Sequence, residues 1–218
     1  MTDTASPTLS PGRIAEVLTS DIIVGRIAPN SRMIEDDVAA RFNVSRSPVR
    51  DAIRLLEQEG LVVKTERRGA RVAAMNRRDL NEVYLCRLSL EAIAASEAAK
   101  NIRPPAQRLL DRALVELKKA FERSDVARYF EANVAFTGAI HIAADNATLR
   151  RLLNGIDKQS LRYRFFAYRN FPQLMGTSLE GSRAIAEAIR RGNSEEAHRV
   201  TQDLIRKSWD VLKLCIPE

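Results

Sequence analysis

Two arginines four residues apart, with serines on either side of the first, open the most informative stretch of the chain: Val44-Ser45-Arg46-Ser47-Pro48-Val49-Arg50-Asp51-Ala52-Ile53-Arg54-Leu55-Leu56. A guanidinium holds two donors in one plane and can bond O6 and N7 of a guanine together in the major groove. A spacing of four puts Arg46 and Arg50 on nearly one face of a helix. Ser45 and Ser47 fall at the start of that helix, where free N–H groups and a partial positive charge favour phosphate. Their hydroxyls can fix register on a DNA backbone without reading its sequence. The opposite stripe, Val49, Ile53 and Leu56, is apolar and would seat the helix on a core. Downstream, Arg67, Arg68 and Arg71 cluster around Gly69 in what reads as a hairpin tip. Such a tip can lie on the phosphates or enter the minor groove, and Gly69 lets the backbone turn or approach closely. Arg46 or Arg50 alone would read as a solvated charge on an amphipathic helix. The order of helix, short helix, Ser-Arg-Ser-Pro-Val-Arg helix and Arg-Arg-Gly hairpin favours DNA.

The elements that must position these residues follow from periodicity. Residues 13–25 carry Ile14, Val17, Leu18, Ile22 and Ile23 on one side and stop at Gly25. Residues 35–42 form a short second helix with Val38, Ala39 and Phe42 inward. Asn43-Val44 is a turn, Ser45 or Ser47 caps the third helix, Pro48 sits harmlessly in its first turn, and Gly60 ends it. Leu61-Val62-Val63 and Ala70-Arg71-Val72-Ala73 are β-prone and frame the tip. Beyond residue 75 the period is helical throughout, with helices expected near 77–100, 105–123, 125–144, 147–169, 178–191 and 194–215. The expected fold is mainly α: a winged helix-turn-helix over residues 12–75 and an antiparallel α-helical bundle over 76–218, preceded by a disordered tail, residues 1–11.

Bulk composition limits the alternatives. The 218 residues are 45% hydrophobic and 29% charged, enough apolar mass for two small domains. The net charge is +7, yet residues 1–75 carry only +1 of it. Bulk charge therefore does not make the case for DNA; the placement of particular arginines does. Residues 1–10 have no apolar run and do not read as a signal peptide, and no stretch has the length of a membrane span. Cys86 and Cys215 show no metal or redox spacing, which suits a reducing cytoplasm. With two histidines, no Ser-His-Asp or Cys-His arrangement, no Gly-rich phosphate loop, no HExxH and no CxxC, an enzyme is disfavoured.

The DNA-reading stretch closely resembles the winged helix-turn-helix of the GntR family of bacterial regulators, whose pattern VSRxPVRxAxRxLExxGLV followed by RRGxxV is matched almost throughout. Asp51 stands where the family usually has Glu, and Ile53 where it usually has Leu. The resemblance implies base-reading roles for Arg46 and Arg50, phosphate contacts for Ser45 and Ser47, and a wing turn at Gly69. It also matches Glu35 to the family's acidic residue at the start of the second helix. The likeness continues through Val83-Tyr84-x-x-Arg87-x-x-x-x-Glu91, Phe130–Leu149 and Arg183–Arg191, which are similar to the helical effector domain of the FadR subfamily, the FCD type.

Most such domains hold a divalent metal with one Asp and three His. Matched segment by segment, those positions are Asn133, Thr137, Ser182 and Leu204. Amide and hydroxyl oxygens are weak ligands and leucine is none, so neither a metal site nor another cofactor is expected. His141, one turn past Thr137, reads as a polar residue at a helix edge; a zinc site from His141, His198 and the cysteines is disfavoured. A pocket remains. Asn133, Thr137 and Ser182 lie on otherwise apolar stripes, and unpaired polar groups there cost stability, which hints at a ligand or water; small side chains bonding their own helix are the alternative. Arg87 resembles the arginine that meets an effector carboxylate, for which a planar guanidinium is well shaped; an internal Arg87–Glu91 ion pair is nearly as good a reading. The run Arg162-Tyr163-Arg164-Phe165-Phe166-Ala167-Tyr168-Arg169 is read mostly as packed aromatics with arginines facing water, with Arg162 and Tyr163 kept as pocket candidates. The implied partners are double-stranded operator DNA, a second copy of the chain, since one reading helix covers few bases, and a small organic-acid or acyl effector. The other possibility is a DNA-binding dimer whose helical domain is a scaffold without effector.

Overall fold

The computed structural model describes residues 9–65 and 69–217, which form two compact units, one ending at Met75 and the other beginning at Asn76.

In the first unit, Ser10 caps helix α1 (Pro11–Ile23) by accepting from the Arg13 N–H at 3.3 Å, and Pro11 occupies the first turn. Residues 10 and 11, read from the sequence as the end of a tail, therefore belong to the cap and first turn of α1. Proline supplies the fixed φ that a helix start needs. Helix α1 lays Ile14, Leu18 and Ile22 against Val49, Ile53 and Leu56 of helix α3 (Arg46–Gln58). Between them, helix α2 (Glu35–Phe42) opens with Glu35, Asp36 and Asp37, which suit the positive end of its dipole. Asn43, at φ +51°, makes the left-handed turn into α3. The buried Asp21 carboxylate ties the unit together, meeting Arg26 and Arg41 at 2.5 Å each. Burial raises its pKa, but the bonds and charges of the two arginines outweigh that and hold it below the usual range.

The β-strands form an antiparallel sheet in the order β1 (Arg32–Met33), β3 (Gly69–Val72), β2 (Val62–Thr65). Thr65 faces Gly69 and Val62 faces Val72, so the hairpin register is fixed up to its tip. Strand β1 is absent from the sequence expectation. At two residues it is too short to show alternation; it is held by tertiary pairing, with Met33 buried opposite Ala70.

The second unit is a bundle of α4 (Arg77–Asn101), α5 (Pro104–Glu122), α6 (Val126–Ala143), α7 (Ala147–Asn170), α8 (Leu174–Arg190) and α9 (Ser194–Cys215). Asn76, Asp125, Asn146 and Asn193 cap α4, α6, α7 and α9 with their side-chain oxygens. Helix α8 starts four residues before the expected 178. Gly176 weakens the local propensity for helix, but burial of Leu174 and Met175 outweighs it. Helix α4 is the centre, packed on α9, α7, α6 and α8. Its Ala92, Ala94, Ala95, Ala98 and Ala99 are all buried, and their small size lets neighbours approach closely. Helices α8 and α9 also meet tightly: a Cβ at Gly181 would lie 2.7 Å from Leu204. No helix among the described residues is long and apolar enough to cross a membrane.

Candidate nucleic-acid interface and effector cavity

In the first unit, Ser45, Arg46, Ser47 and Arg50 are all exposed at the N-terminal end of α3. Ser45 is the N-cap by backbone geometry, but its side chain makes no capping bond, so its hydroxyl is available to a phosphate. Both arginines reach back to α2. Arg50 forms a forked pair with Glu35, at 3.3 and 3.1 Å, and Arg46 donates to Asp36 at 2.6 Å. The Arg50 bond, working against a little burial, holds the Glu35 carboxyl below its ordinary pKa. The acidic residues that suit the α2 dipole thus also pair the arginines at the head of α3. Gly69 opens β3 at φ +75° with open space where a side chain would stand. Arg71 on β3 donates to the Asn30 carbonyl at 2.9 Å. Arg68, with Arg67, lies outside the described residues.

In the second unit, Arg87 and Glu91 on α4, Asn133 and Thr137 on α6, Ser182 on α8 and Leu204 on α9 line one small cavity, about 40 Å³ in volume. That space holds about three waters. A larger groove of about 580 Å³ between α5 and α6 contains none of these residues. Arg162 and Tyr163 do not line the cavity. Tyr163 donates to Asp79 at 2.6 Å, and its ring meets Tyr84 edge-on, so it is a packing residue between α7 and α4. Arg162 is buried beside it, with Asp79 among the charges acting on it. Alternation along a helix explains the error: these two residues lie on the opposite side of α7 from Arg164 and Tyr168, one turn apart, which face α6.

Arg164 corrects the expectation that most of these arginines face water. It is 3% exposed and donates to the Asn133 side-chain oxygen, to the Asn133 carbonyl at 3.2 Å and to the Thr137 hydroxyl at 3.5 Å. Burial, and then the like charge of Arg87, push its pKa down. A guanidinium nonetheless stays charged in a protein. His141 is likewise buried rather than at a helix edge, 2.9 Å from Glu91 and 4.0 Å from Asp157. Burial disfavours its charged form, but the Glu91 bond and charge and the Asp157 charge outweigh this and raise its pKa. Burial raises Glu91 too, yet the His141 bond and the His141, Arg87 and Arg164 charges bring it below the usual range. The two directions agree on an imidazolium–carboxylate pair.

The contact between Arg87 and Glu91 is loose, 3.9 Å from Nε to Oε1, too long for a hydrogen bond. Arg87 Nε, Glu91 Oε1, Arg164 Nε and Ser182 Oγ are all buried with no hydrogen-bond partner. Tyr168 and Ser178 close the same cavity, joined at 2.8 Å. The one sequence signal for Arg164 and Tyr168 was their spacing of four.

A divalent ion does not fit this set. Asn133 has spent its side-chain oxygen on Arg164, Thr137 donates to backbone carbonyls at 3.3 and 3.0 Å, and Leu204 has no ligand atom. Among the described residues no group of three His, Cys, Asp or Glu is placed to hold a metal.

Comparison with known proteins agrees with both halves. The family model described as "FCD domain" matches residues 82–207, and that described as "Bacterial regulatory proteins, gntR family" matches residues 12–72. The HTH-type transcriptional regulator YdhC of Bacillus subtilis is 28% identical over 81% of this chain and 79% of its own. The HTH-type transcriptional repressor RspR of Escherichia coli is 28% identical over 93% of this chain and 89% of its own. Among solved structures, E. coli McbR/YncC superposes with a TM-score of 0.80 at 20% identity, covering 93% of this chain and 96% of that one. A GntR regulator from Rhodococcus sp. RHA1 does so with a TM-score of 0.77 at 22% identity, covering 94% and 98%. At such identities the two structures speak for the fold alone.

Proposed function

Because the chain belongs to the GntR family of bacterial regulatory proteins, with an FCD domain as its helical half, it is a DNA-binding transcriptional regulator and not an enzyme, and we propose that it is a homodimeric repressor released from its operator by a small carboxylate. The observation that carries this reading is the cavity between α4, α6, α8 and α9, where Arg87 Nε and Ser182 Oγ are buried donors without acceptors. An unsatisfied buried donor costs roughly 1–3 kcal/mol. A carboxylate supplies acceptors for both, and a guanidinium is shaped for it. In the DNA-binding unit, Arg46 and Arg50 read base edges, Ser45 and Ser47 hold phosphates, and the wing residues Arg68, Gly69 and Arg71 track the backbone. Two copies on a two-fold operator supply the length of sequence that one helix cannot read. Relatives named as repressors of a D-xylose utilization operon and a gluconate operon favour repression.

The effector acts only if it binds the DNA-free arrangement better than the DNA-bound one. Operator binding, followed by fluorescence anisotropy at fixed salt, should therefore weaken as acetate, glycolate or a longer carboxylate is added. Affinity unchanged across such a panel, together with no shift in melting temperature, leaves the helical unit as a scaffold for dimerisation and ends the effector reading.

A further inference from the structure

The positions at which the FCD resemblance would place metal ligands converge, as Asn133, Thr137, Ser182 and Leu204, on a single cavity, yet nothing in them can hold an ion. Positive charge is present there all the same. The Arg164 guanidinium reaches in from α7, bonds the Asn133 side-chain oxygen and touches the Thr137 hydroxyl, two of those four positions. It is almost wholly buried, and its Nε has no partner.

We propose that Arg164 replaces the metal ion: a guanidinium carried by α7 is the resident cation of the cavity, and the site works without metal. Several features of the site fit a covalently attached cation. An aspartate at position 133 would suit a divalent ion, whereas the neutral amide here accepts one N–H from Arg164 and sends its own N–H to Ser178 at 3.4 Å. The carboxylates that remain nearby are committed elsewhere: Glu91 to His141 at 2.9 Å, with Asp157 4.0 Å from the same ring. Burial and the charge of Glu91 raise the Asp157 pKa; with both acids counted as ionised, Arg87, Arg164 and a protonated His141 against Glu91 and Asp157 give one net positive formal charge. That is the charge a monocarboxylate neutralises. The unpartnered donors Arg87 Nε and Ser182 Oγ would take its oxygens, and the unpartnered acceptor Glu91 Oε1 would take a hydroxyl on the same molecule. Leu204 fills the remaining position with a hydrocarbon side chain that packs on Gly181 and offers no ligand atom.

The inference rests on the same cavity as the effector reading, but its test needs no effector. The full chain is stripped with chelator and titrated calorimetrically with Ni²⁺ and with Zn²⁺. The same is done for a ligand-restored variant, Asn133→Asp/Thr137→His/Ser182→His/Leu204→His, with Arg164 kept and with Arg164→Met added. The expected result is no ion bound by the natural chain, and a restored site that binds roughly a hundredfold or more tightly once Arg164 is gone, because a fixed positive charge about 4 Å away opposes the ion. One tightly bound ion in the natural chain overturns the proposal. So does a restored site that binds equally well with Arg164 present. If the fourfold variant does not fold, Asn133→Asp/Thr137→His alone, confined to α6, is compared with and without Arg164→Met, and the same two outcomes decide. Carboxylates that fail to release operator DNA would count against the effector reading and leave the metal titrations untouched.

Discussion

Replacing Arg164 by methionine removes three hydrogen bonds but orphans only one acceptor. The Asn133 carbonyl keeps its place in α6, and the Thr137 hydroxyl keeps its bonds to the Asn133 and Val134 carbonyls. Glu91 keeps His141, and Arg87 stays nearby. The Asn133 side-chain oxygen is left buried and bare, which costs roughly 1–3 kcal/mol. Relief from burying a cation offsets part of this. The unfolding midpoint of the helical unit should fall by roughly 3–10 °C. Asn133→Leu alone should cost more, about 3–5 kcal/mol, because it strands a buried charge. Combining the two removes donor and acceptor together, which in a buried site approaches neutrality. The double variant should therefore be more stable than Asn133→Leu and well short of the sum of the singles. Trp209, the sole tryptophan, lies in α9 with its indole N–H on Asn81, so its fluorescence reports this unit. A cycle in which the two losses simply add would show that the Arg164–Asn133 contact does not couple them, and the account of the cavity would fail with it.

Arg46→Ala and Arg50→Ala should each weaken operator binding by roughly ten- to a hundredfold while weakening random DNA much less; equal losses on both, by anisotropy at one salt concentration, would make them phosphate contacts only. The raised pKa of His141 contributes stability that is complete below its unfolded value near 6.5 and is lost as pH rises through the folded value, while the lowered pKa of Glu91 contributes above about 4.5 and is lost as pH falls through its folded value. Between those limits both contributions are present, facing Arg87, Asp157 and Arg164. His141→Gln should flatten the alkaline side of the Trp209 melting profile; an unchanged profile would remove the imidazolium from the site. Gly181→Ala should destabilise by about 1–3 kcal/mol through the clash with Leu204, less about 1 kcal/mol for the better helix former. That loss should vanish in a Leu204→Ala background, and a loss that persists there would place the strain elsewhere.

The spacing of apolar residues revealed the helices because each buries one stripe, and Gly25, Pro48 and Gly60 marked helix ends in the first unit. Strand β1 was hidden because two residues have no period, and the start of α8 because Gly176 argues locally against a helix that burial nonetheless secures. Asn133, Thr137 and Ser182 could be singled out as polar residues on apolar stripes and Arg87 through the family resemblance, and they do share a cavity. Arg164 could not. Within a run of three arginines and four aromatics, composition does not say which side of the helix is inward. That depends on the angle at which α7 meets α6, and the choice put Arg162 and Tyr163 forward in its place. The pairing of His141 with Glu91, fifty residues away on α4, is likewise a product of tertiary packing.

The carboxylates of Glu35 and Asp36 bear on how such a protein would search a genome. On the proposed docking, Arg50 and Arg46 arrive already extended and occupied, and each must leave an acid to reach a base. A guanine edge repays that exchange with two acceptors in one plane. Random sequence seldom does, and there the acids stay in place and face the phosphates with like charge. Dwell on unspecific DNA is shortened while residence on the operator is spared. In a cell where competing sites outnumber the target by about a millionfold or more, quick departure from the wrong place matters as much as strong attachment to the right one.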